Sequence, residues 1–213
     1  MKKGLYTQRR EDFYDIQTKS LNPLRSWFHT TRHRIVGNLV SDNYKKGMKV
    51  VDLACGNCVW NAKKIPVIGV DISKKLMEHA FKNGRISEAI VSDVHTVKLA
   101  DGYADIVVAT EMLEHMPSYE KVVYEMARIL KKGGKLILTV PYDTFFSMWK
   151  PLFKVQCILQ GYVFGDDYYK HECGHINHFS PKAIRNVLEK NGFKILKQFT
   201  NYRFTIFTLA EKK

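Results

Sequence analysis

The chain has 213 residues, with 34 Lys and Arg against 21 Asp and Glu, a formal net charge of +13 and four cysteines. That length suits one α/β domain with a substantial core and is too short for two of full size. No apolar run approaches the roughly 20 residues of a membrane span, the first residues lack the apolar stretch of a signal peptide, and the few cysteines argue against a disulfide framework, so a cytoplasmic protein is expected.

The charge is uneven: residues 1–50 carry +7, residues 51–140 carry +1 and residues 141–213 carry +5. An excess that flanks a neutral centre favours an anionic partner, whether a small molecule, a nucleic acid or an acidic membrane surface contacted peripherally; the alternative is charge that only solubilises.

In chain order, Asn22-Pro23 reads as an N-cap followed by proline at the first helical position, opening a helix to about Val40. Leu24, Phe28, Ile35 and Leu39 share one face of it, and Arg25, His29, Arg32 and His33 another. Strands are expected at Lys49 to Leu53, Val67 to Asp71, Ile86 to Ser92, Ala104 to Thr110 and Lys135 to Val140, alternating with helices that start near Asn57, Ser73 and Ser118. Ser73 and Ser118 read as N-caps, Gly84 and Gly133 as helix stops. This alternation argues for a parallel sheet with helices on both faces. Phe193 to Phe199 and Arg203 to Ala210 are two further strands whose short connection allows a hairpin and forbids a helical crossover, so the sheet gains one antiparallel strand. Residues 142–179 form one long irregular connection rich in Tyr, Phe, Trp and His, which reads as an acceptor-side lid or binding loop.

The most informative stretch is Val50 to Ser73, a strand, a glycine-bearing turn and a second strand ending in Asp71. A nucleotide-like ligand needs a tight turn that brings backbone N–H groups near it and a carboxylate to accept from both ribose hydroxyls. The turn, Asp52-Leu-Ala54-Cys-Gly56-Asn-Cys58, is not a dinucleotide fingerprint, and no phosphate-binding lysine follows it. It resembles the first motif of the class I S-adenosylmethionine-dependent methyltransferases, acid-x-Gly-x-Gly-x-Gly, with Ala54 and Cys58 at the outer glycine positions. The likeness continues in order through Ile90-Val-Ser-Asp93, Glu111-Met-Leu-Glu-His115, the diglycine at Gly133 and Gly134, and His178-Phe-Ser-Pro, covering most of residues 48–209. It is greatest to small-molecule enzymes similar to the quinone-biosynthesis and sterol methyltransferases.

The resemblance implies a Rossmann-like doubly wound α/β fold with a seven-stranded, mostly parallel sheet. It implies a basic arm and cap helix over residues 1–47, a methyltransferase domain over 48–213 with an insertion at 142–179, and S-adenosyl-L-methionine as cofactor, released as S-adenosyl-L-homocysteine. Asp52, Ala54 and Gly56 would surround the methionine end, Asp71 and Ile72 the ribose, Asp93 and Val94 the adenine, and Thr110 the sulfonium. An oxygen acceptor needs a base, for which His115 is the candidate, with Tyr142 a second catalytic candidate. Arg25, Arg32, His171, His175 and His178 are the candidate acceptor-binding residues. Metal is not expected, because the spacing from His171 to His178 matches neither H-E-x-x-H nor paired C-x-x-C. Cys55-Gly-Asn-Cys58 likewise reads as small residues lining a turn rather than a redox pair. The acceptor would be a small molecule or a lipid or sugar biosynthetic intermediate of anionic character. An RNA methyltransferase and a non-catalytic cofactor-binding protein are the alternatives.

Overall fold

The computed structural model describes residues 10–144, 147–163, 165 and 175–213. Its strands are β1 (Val50–Leu53), β2 (Val67–Asp71), β3 (Glu88–Val91), β4 (Ala104–Thr110), β5 (Leu130–Pro141), β6 (Phe193–Asn201) and β7 (Thr205–Lys212). They form one sheet in the order β3-β2-β1-β4-β5-β7-β6. β1 pairs in parallel with both β2 and β4, so the winding direction reverses at β1, and the crevice beyond the carboxyl ends of β1 and β4 is where such a sheet takes its ligand. β7 runs antiparallel between β5 and β6. The expected mostly parallel, seven-stranded sheet with one reversed strand is present, with the final turn two residues later than the sequence placed it.

The helices are α1 (Phe13–Thr18), α2 (Pro23–Asn43), α3 (Lys74–Lys82), α4 (Tyr119–Ile129), α5 (Trp149–Cys157) and α6 (Pro181–Lys190). Strand residues alternate between two cores. Val51, Leu53, Val107, Leu136 and Leu138 pack with Val122 and Met126 of α4 and Ile184 and Leu188 of α6. Val50, Val67, Ile106, Val108 and Ile137 pack with Val36 and Val40 of α2 and Met77 and Ala80 of α3. The central strands β1, β2, β4 and β5 are therefore apolar on both faces, which is the pattern of a covered parallel sheet.

Four local expectations need correction. No helix starts at Asn57; the segment after β1 is a series of tight turns, with the Cys58, Asn61 and Lys64 N–H groups donating three residues back. Left-handed backbone at Cys58 and Lys64 interrupts any helix there, and the Asn61 side chain clasps the loop through Ile65 and the Arg85 carbonyl. α2 covers this region instead, so closely that a Cβ on Gly37 would meet the Trp60 carbonyl oxygen at 2.7 Å. Gly133 is a strand residue, because β5 begins directly after α4 at Leu130. Ser73 and Ser118 occupy N-cap positions without side-chain capping bonds, whereas Asn22 caps α2 by accepting from Leu24 and Arg25. The connection after β5 is partly helical, since Pro151 lies in the first turn of α5, where its missing N–H costs nothing. Among the described residues no helix is long and apolar enough to cross a membrane.

Candidate active site

A cavity of about 300 Å³ opens at the carboxyl ends of β1, β2 and β4, the switch point of the sheet. Ala54, Asp71, Ile72, Asp93, Val94, Thr110, Arg32 and His115 all line it, in company with Tyr14, His33, Asn57, Trp60, His95 and Glu111.

The turn after β1 is the cavity's floor. Ala54, Gly56 and Cys58 have φ of 53°, 53° and 49°, so all three alternate positions of the turn adopt the left-handed conformation although two of them carry side chains. That conformation costs a non-glycine residue roughly 1–2 kcal/mol. It points the Gly56 N–H at Asp71, whose Oδ2 accepts it at 2.8 Å while Oδ1 accepts from the Ser73 N–H at 2.8 Å. These two bonds fix the carboxylate in place at the edge of the cavity.

Asp52 and Gly56 do not line the cavity. Asp52 is fully buried behind the turn, where Oδ2 accepts from Trp60 Nε1 at 2.7 Å and from the Cys58 thiol at 3.3 Å. Burial pushes its carboxyl up to about 7, against the opposing effect of those two donors. Gly56 is covered by Tyr14, whose ring would lie 2.8 Å from a Cβ there. Cys55 and Cys58 are both free thiols, pushed up by burial.

α1 is held over the turn by a polar clamp centred on Asp15. Its carboxylate accepts from Arg85 at 2.6 and 3.1 Å and from Asn57 at 2.8 Å, and pairs with His79 at 3.1 Å. Burial works to raise this carboxyl, but the Arg85 and His79 contacts prevail and hold it below its ordinary value.

The basic face of α2 turns inward at Arg32 and is half-buried at Arg25, His29 and His33. Arg32 is buried, pairs with Glu111 Oε2 at 3.1 Å and lies over the Phe28 ring. Burial and then the Arg32 charge push His29 down to about 2 and His33 to about 3, so both stay neutral. Arg25 is half-buried and off the cavity, and Arg34 is exposed.

Beyond β4, Glu111 sits at φ 49° and leads into a 3-10 turn, Leu113–His115. Glu114 is buried, and desolvation together with the Glu111 charge raises its carboxyl well above the ordinary range. His175 lies outside the cavity lining, but its ring packs edge-on against His115 at 5.0 Å. His178 is half-exposed and hydrogen-bonds Asp143 at 2.8 Å. Tyr142 lies off the cavity, in an isolated bridge to Phe179, and His171 lies outside the described residues. Tyr14, Asp15, Trp60 and Arg85 were not anticipated. The spacing of Glu111, Glu114 and His115 was the available signal for the acidic side of the site.

A family model described as a methyltransferase domain matches residues 27–198. The chain is 25% identical over 194 residues to the demethylmenaquinone methyltransferase of Staphylococcus saprophyticus, covering 79% of this chain and 78% of that protein. It is 30% identical over 123 residues to the ubiquinone biosynthesis O-methyltransferase of Thiobacillus denitrificans, covering 54% and 49%. Among solved structures, magnesium protoporphyrin IX methyltransferase from Synechocystis PCC 6803, with bound S-adenosylhomocysteine, superposes with a TM-score of 0.67 at 19% identity, covering 94% and 93%. A Thermotoga maritima S-adenosylmethionine-dependent methyltransferase gives 0.66 at 21%, covering 94% and 99%. The chain belongs to the methyltransferase-domain family. It is a class I S-adenosylmethionine-dependent methyltransferase.

Proposed function

We propose that this enzyme methylates a hydroxyl group of a small-molecule biosynthetic intermediate in the cytoplasm. The observation that carries the reading is His115, which lines the same cavity as Asp71 and Thr110, next to the apolar side chains of Met112, Met116 and Pro117. On this reading Asp71 receives the ribose hydroxyls, Asp93 and Val94 flank the adenine, Ala54 and the turn take the methionine end, and Tyr14 closes the top. The cofactor supplies an electrophilic methyl on a sulfonium that leaves as a neutral thioether. The protein's share is to align the acceptor with it, exclude water and accept the acceptor's proton. Names of the relatives support a small acceptor of the quinone-precursor kind. An anionic acceptor is supported only by the flanking charge, because Arg32, the arginine in the cavity, is already paired with Glu111.

The test is transfer of labelled methyl from S-adenosylmethionine to a panel of hydroquinones and catechols, a lipid extract and total RNA. Label is expected in the hydroxylated aromatic compounds. His115→Ala should lower kcat roughly hundredfold while leaving S-adenosylhomocysteine affinity unchanged. Label in RNA alone would overturn the small-molecule reading.

A further inference from the structure

Away from the cavity, the connection after β5 turns an apolar stripe towards solvent. Met148, Leu152, Val155 and Leu159 follow one another at helical spacing, which puts them on one side of α5 and of the π-helical turn that continues it, Ile158–Val163. An ordinary surface helix buries such a stripe against the core. Here all four side chains are exposed, by 43% to 54%, and it is Cys157, on the opposite side of the helix, that is buried.

Two neighbouring segments extend this surface. The Met148 N–H donates to the Arg203 carbonyl at 3.3 Å, which sets the start of α5 beside the turn between β6 and β7. Tyr202 of that turn is exposed and packs its ring against Trp27 of α2 at 5.5 Å, and Leu24, one helical turn before Trp27, is exposed as well. The charge on all three segments has one sign. Residues 16–41, 147–163 and 190–210 contain lysine and arginine but no aspartate or glutamate, and Lys19, Lys154 and Arg203 are exposed.

We propose that the apolar stripe of α5, with Trp27, Tyr202 and the cations around them, is a docking surface for an anionic lipid bilayer. Adsorption to such a bilayer sums two terms, apolar area buried at the boundary between headgroups and acyl chains and attraction of lysine and arginine to the headgroups, and this face supplies both. Tryptophan and tyrosine are the side chains that favour that boundary. No described helix is long and apolar enough to cross a membrane, so α5 lies on the bilayer rather than through it. A second copy of the chain fits less well, because a two-fold contact would set this face against itself, cation against cation with no acid to offset them. α2 carries Trp27 at this surface and Arg32 in the cavity, and α5 follows the carboxyl end of β5, which runs parallel to β4. Docking therefore holds the cavity's side of the sheet towards the bilayer, where an apolar acceptor concentrates. That consequence rests on the proposed function; the docking itself does not.

The test is co-sedimentation of the full chain with vesicles of phosphatidylcholine, alone or with about one-third phosphatidylglycerol. The parent protein should partition into the anionic vesicles roughly tenfold better or more, and salt at about 0.5 M should release it. Leu152→Ser combined with Val155→Ser, and separately Lys154→Glu, should each weaken that partition roughly tenfold. Lys46→Glu makes the same change of net charge on an exposed lysine before β1, at the opposite end of the sheet from the cavity, and should alter it less than roughly threefold. S-adenosylhomocysteine affinity, measured on the same samples, reports whether each variant is folded and tests the cofactor site separately. Equal partition of the parent protein into the two kinds of vesicle overturns the surface. So does undiminished partition of a folded Leu152→Ser/Val155→Ser variant, a loss as large in Lys46→Glu as in Lys154→Glu, or a dimer in light scattering that the double serine variant abolishes.

Discussion

Ala54 and Cys58 show how a departure from a motif can leave its geometry intact. Both occupy left-handed backbone beside Gly56, so the turn keeps the shape that three glycines would give it and carries strain in exchange. Ala54→Gly should remove that strain against some added freedom in the unfolded chain, leaving a net gain of up to about 1 kcal/mol that thermal denaturation would register. A loss of more than that would mean the Ala54 methyl packs more productively than its backbone is strained. Cys58 differs, because its thiol hydrogen-bonds Asp52, and glycine there would remove the contact. The positions of Asp71, Asp93, Thr110 and His115 were legible because strand ends are legible. The direction in which Asp52 points was not, since it depends on Trp60 folding back eight residues later. Nor was the fate of Arg32, whose partner Glu111 is 79 residues away.

At the level of elements, the short segment between Gly56 and Asp71 replaces a helix with turns, and α2 fills the place on the sheet. The sequence showed the segment to be short but not that it lacks a helix, because the turns are held by Asn61 and by left-handed residues that composition does not reveal. The Asp15 clamp likewise joins residues from α1, the turn, α3 and the loop after α3, and no local pattern announces it. Its consequence is a cap whose attachment is electrostatic. Arg85→Ala leaves the partly buried Asp15 without its main counter-charge, so α1 should loosen from the turn. We expect faster proteolysis near residues 10–20 and roughly tenfold weaker S-adenosylhomocysteine binding, with the ligand partly restoring protection. Unchanged cleavage would show that Tyr14 packing alone seats α1.

For the molecule as a whole, sheet order and winding were legible from the alternation of strands and helices and from the short last connection. Charge was the least informative global signal, because one candidate arginine, Arg32, is consumed by an internal pair and the other, Arg25, lies off the cavity. A second global property follows from Asp52. Its folded-state carboxyl at about 7 lies above the ordinary 3.8, so the native state holds a proton that the unfolded state releases in between. That contribution is complete below about pH 4 and is lost as pH rises towards 7, amounting to at most roughly 4 kcal/mol. Asp52→Asn should flatten the fall in stability across that window relative to the parent protein, and parallel pH profiles would place the Asp52 carboxyl nearer its ordinary value. The central claim, that the cavity at the switch point takes the methyl donor through Asp71, is tested most directly by calorimetric titration of S-adenosylhomocysteine into the parent protein and Asp71→Asn. The account predicts one site per chain, weakened in the variant by roughly 1.5–3 kcal/mol with the fold intact. No binding to the parent protein, or equal affinity in the two, would contradict it.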